Sequence, residues 1–251
     1  MARAPSPALD LAAWIVWEDE DLVALNKPAG VLSQGGEGGA GRNLVDLARA
    51  RWRGVPIAVL HRLDRNVSGL VLLAKTTAGA RAMSEAFARN EVDREYVAVV
   101  RGVPADRSFT IDASLSKDAR TNEVTARAAK DVARLAVAER EAYRDARTDV
   151  AVERQLAAPL GRLSILRVRP ITGRSHQIRA HLAFAGLPIV GDPKYGVAAK
   201  GLARPLLHAR ALSFRHPVGG ATVKLRSDPP WDDARLVTLA RAAAPKTAAA
   251  R

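Results

Sequence analysis

"HRLDRNVSGLVLLAK" (61–75) places an acid, Asp64, between two arginines, Arg62 and Arg65, directly ahead of an apolar run. The segment "LVLLAKT" (70–76) shows no polar alternation and reads as a buried strand. A carboxylate at the entry to such a strand suits a nucleophile or a general base. The neighbouring guanidinium groups would favour its charged form if they point toward it. Taken alone, the same pattern also describes an ion pair at a solvated turn, so the rest of the chain has to decide.

Upstream, "WIVWEDEDLVALNKPAGVLSQGG" (14–36) alternates apolar and polar residues and breaks at Lys27-Pro28-Ala29-Gly30. It predicts two short strands or a hairpin, then a glycine-rich loop through Gly41. "NLVDLARARWRG" (43–54) has helical spacing, with Asn43 as N-cap and Gly54 as stop. Downstream, "TAGARAMSEAFARN" (77–90) predicts a helix with Ala80, Met83 and Phe87 facing the core. "REYVAVVRG" (94–102) is a strand by its β-branched run. The stretch from Ser116 to Asp145 is rich in Ala, Arg and Glu; it reads either as a helix around 128–142 or as a charged excursion between strands.

"RTDVAVERQL" (147–156) and "GRLSILRVRP" (161–170) alternate and predict paired antiparallel strands. "SHQIRAHLAFAG" (175–186) predicts a helix ended by Gly186 and Pro188, and "PPWDDARLVTLARAAA" (229–244) a final amphipathic helix. Strands and helices mix without a βαβ rhythm, which predicts an α+β fold with a largely antiparallel mixed sheet.

The chain of 251 residues, 48% of them hydrophobic, is long enough for one large domain or two small ones. It has no cysteine, which excludes disulfides, thiolate metal sites and cysteine nucleophiles. No stretch has signal-peptide character or approaches the roughly 20 apolar residues of a membrane span, so the expectation is a cytoplasmic protein with no membrane partner.

The net charge is +13, and the excess is uneven: Leu160 to Arg226 holds twelve Lys or Arg and one acid, Asp192. Such a cationic stretch fits a polyanion, because each neutralised phosphate releases counterions. An alanine- and arginine-rich composition alone would also give a solvated basic surface.

Other chemistries lack their residues. The histidines at 61, 176, 181, 208 and 216 show no zinc-ligand spacing, and His176 and His181, five apart, do not stack on one helical face. "GGEGGAG" (35–41) lacks the Lys-Ser/Thr of a phosphate-binding loop, and no GxGxxG follows a strand. "VSG" (67–69) is not a serine nucleophile elbow. The expectation is no metal and no cofactor.

"HRLDRNVSGLVLLAK" closely resembles the catalytic motif of the RluA-type family of RNA pseudouridine synthases. Four further stretches resemble that family's motifs in its order: "WEDEDLVALNKPAGVLSQGG", "REYVAVVRG", "PITGRSHQIRAHLAFAGLPIVGDPKYG" (170–196) and "LLHARALSFRHP" (206–217). The middle, about 116–147, matches no family pattern, and Asn66 and Val67 stand where Asp-Thr is frequent. The opening motif comes within some fourteen residues of the start, so the small N-terminal RNA-binding domain of many relatives is not expected here.

The resemblance implies a pseudouridine synthase fold with a central active-site cleft. It implies an N-terminal extension (1–13), a catalytic domain (14–244) interrupted by a variable charged insertion (116–147), and a flexible tail (245–251). It implies isomerisation of uridine to pseudouridine in ribosomal RNA or tRNA, with Asp64 as the catalytic aspartate and Arg179 as the arginine that pairs with it. Tyr96 matches the tyrosine that stacks on the target base, where an aromatic face contributes about 1–3 kcal/mol. Arg62 matches the arginine that fills the space of the everted nucleotide, Leu207 falls near an apolar pocket residue, and Arg174 and His176 join the substrate-binding set. His61 and Ser68 are expected to hydrogen-bond the loop carrying Asp64. The expected partner is a stem-loop of RNA bound by a monomer, with the cations of 160–226 along its track. The alternative is an inactive RNA-binding or chaperone protein on the same fold.

Overall fold

A computed structural model describes residues 10–35, 43–158, 161–197, 199, 202, 204–232 and 236. The glycine-rich loop, the extension as far as residue 9, and most of the final helix and the tail expected from the sequence lie outside the described residues. The chain divides into two compact units, 1–96 with 208–229, and 97–207 with 230–251.

The first unit opens with a 3-10 turn (Ala12–Trp14) and an antiparallel hairpin of β1 (Ile15–Glu18) and β2 (Leu22–Lys27). Helix α1 (Leu44–Arg51) and strands β3 (Ala58–Val59) and β4 (Ser68–Ala74) follow. Next come α2 (Thr77–Ala88) and the start of β5 (Asp93–Arg101). Asn43 caps α1, its side chain accepting from the Asp46 amide. The expected buried strand at 70–76 is β4, buried along its whole length. It starts and ends two residues earlier than expected, because Thr76 turns the chain as the N-cap of α2. Leucine on both faces of β4 gives a strand enclosed on both sides, with Met83 of α2 buried against it and Ala80 and Phe87 packed alongside. Asn90, at φ 57, ends the helical path.

The second unit carries the rest of β5, then β6 (Ser108–Asp112), β7 (Ser114–Asp118) and β8 (Glu123–Arg127). Two single-turn helices, α3 (Ala129–Val132) and α4 (Val137–Arg140), lead to β9 (Tyr143–Arg144). A long hairpin of β10 (Arg147–Ala158) and β11 (Gly161–Pro170) then precedes α5 (Gln177–Phe184). β12 (Leu207–Arg215) and β13 (Thr222–Arg226) return the chain to the first unit. The charged stretch at 116–147 is therefore an excursion after all: β8-β7-β9 form a small separate sheet, and its helical part is two short pieces. The β7–β8 pairing takes Leu115 and Val124 into the core, and the helix expected over 128–142 is broken in two at Ala136, whose ψ of 151 lies outside the helical region.

In the first unit the strands run in the order β1-β2-β4-β12-β5, and in the second β5-β11-β10-β6. β1/β2, β2/β4, β3/β4, β12/β13, β10/β11 and β6/β10 pair antiparallel, and β4/β12 parallel. The sheet is mixed and largely antiparallel, as expected. Strands β3, β6, β7, β8, β9, β12 and β13 are those that the sequence reading did not mark. The helix read over 175–186 starts at Gln177, because His176 sits in the left-handed region at φ 51. It ends at Gly186 (φ 73) with the paired bonds Gly186 N→Ala183 O, 3.0 Å, and Leu187 N→Leu182 O, 2.8 Å. That is the helix-ending motif in which glycine accepts the left-handed backbone.

Candidate active site

Asp64 lies on the loop between β3 and β4, and this loop is clamped from below by the Lys27–Ser33 turn. Lys27 is wholly buried. Its ammonium donates to the carbonyls of Pro28 (3.0 Å), Val31 (2.8 Å) and Arg65 (3.3 Å). Three carbonyls match the three donors of an ammonium, which is what makes burying it tolerable. Gly30 adds a reciprocal pair with Arg65, its amide to the Arg65 carbonyl at 2.8 Å and its carbonyl from Arg65 Nε at 3.1 Å. The Ser33 hydroxyl donates to the Leu63 carbonyl (2.9 Å) and accepts from the Leu63 amide (3.1 Å). The residues on either side of Asp64 are thus fixed to one turn, and the "NKPAG" stretch is the support of the "HRLD" loop. The Asp64 side chain is half-buried.

Tyr96 is buried on β5, within electrostatic reach of Asp64. Burial pushes its phenol up to about 12; the Arg94 guanidinium opposes this and the Asp64 carboxylate adds to it. Asp64 and Tyr96 are therefore brought together within the first unit. Arg62 is exposed.

His61 and Ser68 support β4 and its neighbours rather than the Asp64 loop itself. His61 Nε2 accepts from the Leu72 amide at 3.1 Å, and its ring stacks on Phe87. Burial, with Arg94 nearby, pushes it down to about 3, so it stays neutral. Ser68 hydrogen-bonds His208 Nδ1 at 2.9 Å. His208 Nε2 faces the Ser227 carbonyl at 3.0 Å. A carbonyl only accepts, so Nε2 carries the proton and Ser68 donates to Nδ1.

In the second unit Arg179, on α5, is buried and gripped side-on by Asp192. Its Nε donates to Oδ2 at 2.7 Å and Nη2 to Oδ1 at 2.8 Å. Asp192 is 1% exposed and also accepts from the Lys194 amide at 2.9 Å and the Tyr195 amide at 3.2 Å. Burial raises the Asp192 carboxyl, but the bonds and charge of Arg179 and the two amides outweigh it and hold the group below its ordinary value. The guanidinium carbon lies 5.0 Å from the ring centroid of Tyr195.

His176, half-buried, places Nδ1 2.8 Å from the Tyr195 hydroxyl. Arg174 is exposed, its Nε donating to the Asp145 carbonyl at 3.3 Å. Leu207, 3% exposed, opens β12 as a core residue. Within this unit the structure joins Arg179 to Asp192 and Tyr195, and through Tyr195 to His176.

Lys27, Arg94, Asp192, Tyr195 and His208 are the residues that sequence reasoning did not single out for the site. Asp192 did carry a signal, as the lone acid among twelve cations. An isolated acid in a basic stretch has a cation as its natural partner. Lys27 carried none, because its acceptors are backbone carbonyls.

A profile of the family described as RNA pseudouridylate synthase matches residues 21–184. The chain is 33% identical over 250 residues to the ribosomal large subunit pseudouridine synthase D of Xanthomonas campestris pv. campestris, covering 92% of this chain and 70% of the relative. It is 32% identical to the ribosomal large subunit pseudouridine synthase C of Salmonella typhimurium, with 92% and 72% covered. Among solved structures it resembles human RNA pseudouridylate synthase domain containing 1, with a TM-score of 0.69, 26% identity, and 88% of this chain and 84% of that one covered. This chain belongs to the RNA pseudouridylate synthases, isomerases that convert uridine in RNA to pseudouridine.

Proposed function

We propose that the chain isomerises uridine in large-subunit ribosomal RNA, with Asp64 as the catalytic carboxylate, Tyr96 as the aromatic face for the base and Arg179 as the guanidinium that serves the reacting centre. The names of the two bacterial relatives support the RNA class. The observation that carries the site is the Asp64 loop, pinned on both sides of the carboxylate and set beside Tyr96.

The reaction breaks the bond between uracil N1 and ribose C1′ and forms one between C5 and C1′. The C5 proton leaves and N1 gains one, so no net charge, electron or water is consumed. The residues have only to evert the nucleotide, hold the base while it turns and carry one carboxylate to it. Eversion costs a few kcal/mol. Arg62, exposed beside Asp64 in sequence, is suited to fill the space the nucleotide leaves. Tyr96 enters the reaction as a protonated phenol, able to stack and to donate. Leu207, Arg174 and His176 complete the set proposed for substrate binding.

The test is carbodiimide-blocked primer extension across ribosomal RNA and tRNA from cells with and without the gene, complemented by wild type or Asp64→Asn. The expected result is a pseudouridine lost from large-subunit RNA, restored by wild type and not by the variant, whose RNA affinity stays within about threefold. Loss confined to tRNA would overturn the ribosomal assignment. Restoration by Asp64→Asn would overturn the role of Asp64.

A further inference from the structure

The fork between Arg179 and Asp192 and the ring of Tyr195 constrain different motions of one guanidinium. Two parallel hydrogen bonds, 2.7 and 2.8 Å, fix its Nε/Nη2 edge. The Tyr195 ring, 5.0 Å from the guanidinium carbon, covers its face. With edge and face both set, the direction of Nη1 is set as well. A planar cation held this way has little orientational freedom left to lose.

Tyr195 is itself anchored. Its hydroxyl accepts from the Val124 amide of β8 at 2.8 Å and lies within hydrogen-bond distance, 2.8 Å, of His176 Nδ1. Lys194 donates to the carbonyls of Thr121 and Asn122 at 3.0 Å, tying the same turn to the β7–β8 hairpin. The turn is also closely packed at its end. A Cβ on Gly196 would lie 2.0 Å from the Ile189 carbonyl oxygen and 2.6 Å from Asp192 Cβ. Tyr195 is thus held by a hairpin from the stretch that matched no family motif.

We propose that Tyr195 is a positioning residue for Arg179, acting with Asp192 to fix the guanidinium in the orientation the isomerisation uses, and that the β7–β8 hairpin holds Tyr195 in turn through Val124. The proposal rests on the reading of Arg179 given above. It gives the 116–147 stretch a task in the chemistry, beyond any in RNA contact.

The test uses the full chain and an unmodified transcript of large-subunit ribosomal RNA labelled with [5-³H]uridine. Forming the C5–C1′ bond expels the label to water, so release under enzyme excess reads the chemical step, and filter binding reads RNA affinity. Y195L is expected to slow release about tenfold or more, as displaced catalytic groups do, with RNA affinity within about twofold. Y195F, which keeps the ring face but loses the bond from Val124, is expected to fall between Y195L and wild type, slowing release about threefold. A Y195F rate equal to wild type would overturn the part given to the hairpin. In an R179K background, Y195L is expected to add less than about twofold, because its effect runs through the group already changed. Y195M replaces Y195L if the latter does not fold.

A Y195L rate within twofold of wild type would overturn the proposal. So would an undiminished Y195L effect in the R179K background, or a loss of RNA affinity that accounts for the slowing. R179K and R179A at the wild-type rate would instead overturn the role of Arg179 itself, whatever Tyr195 does.

Discussion

At Gly69 the backbone takes φ +118, and a Cβ there would lie 2.3 Å from the carbonyl oxygen of Ala209. The parallel register of β4 and β12, His208 on Ser68 and Ala209 on Gly69, needs that approach. The Ser-Gly after the Asp64 loop is therefore an anchor for β12: the hydroxyl reaches His208, and the missing side chain admits the strand. Gly69→Ala combines a strained backbone with a backbone clash and is expected to cost at least about 2 kcal/mol by urea denaturation.

Tyr96 gives a prediction on the alkaline side. Its phenol titrates near 10 when unfolded and about 12 when folded, so the native state favours the protonated form. That stabilisation is complete below pH 10 and is lost as pH rises from 10 toward 12. It is on the order of 2–3 kcal/mol, and urea midpoints in Tyr96→Phe should lose this part of the alkaline fall. His61 acts in the opposite range. Its pKa is pushed from 6.5 to about 3, so its contribution is present above pH 6.5 and lost as pH falls toward 3. His61→Gln should flatten that acid limb.

At the scale of elements, α2 shows how one residue joins three pieces of chain. Thr76 accepts from the Gly79 amide at 3.0 Å as the helix cap and donates to Asp21 Oδ1 at 2.6 Å in the β1–β2 turn. Thr76→Val, which keeps the shape and removes both bonds, is expected to cost about 1–2 kcal/mol. The ends of α5 are set differently. At its start Gln177 accepts from Thr172 Oγ1 (2.7 Å) and the Arg174 amide (3.0 Å), and donates to the Arg147 carbonyl and Thr148 Oγ1, both 3.0 Å. This side chain ties the start of the helix that bears Arg179 to the 172–174 loop and to β10. His181 is neutral within it, lowered by burial, with Nε2 donating to the Ala113 carbonyl at 3.0 Å and Nδ1 accepting from Thr148.

For the whole molecule, the net charge of +13 is the property most relevant to RNA. The twelve cations between 160 and 226 are not one solvated face. Eight are exposed, Arg179 and Arg210 are buried, Arg204 is half-buried, and Lys200 lies outside the described residues. Arg210 is held by Glu95, with Nη2 at 2.9 Å, as Arg179 is by Asp192. The expected RNA track is thus thinner than the sequence count, because inward cations organise the protein instead. Affinity for RNA should still fall at least about tenfold between 50 and 200 mM salt, measured by filter binding. A flat salt response would deny the exposed cations a part in binding.

The sequence by itself determined what is local or patterned. The buried run of β4 reads directly from its unbroken leucines. The cap at Asn43 follows from a short polar side chain before helical spacing, and the β10–β11 pairing from alternation. The motifs in order along the chain show the family, and Asp64, Tyr96 and Arg179 are the site residues they lead us to propose. Tertiary structure alone decided which groups meet. Lys27 under the Asp64 loop bonds backbone carbonyls, and carbonyls leave no mark on a sequence. Asp192 and Tyr195 reach Arg179 only because α5, the following turn and the β7–β8 hairpin converge. The stretch at 116–147 divides into strand pairing that buries Val124 beside Leu115 and two single-turn helices, a division that local alanine preference does not reveal. Propensity acts between neighbours in the chain, whereas burial and hydrogen-bond satisfaction act between neighbours in space.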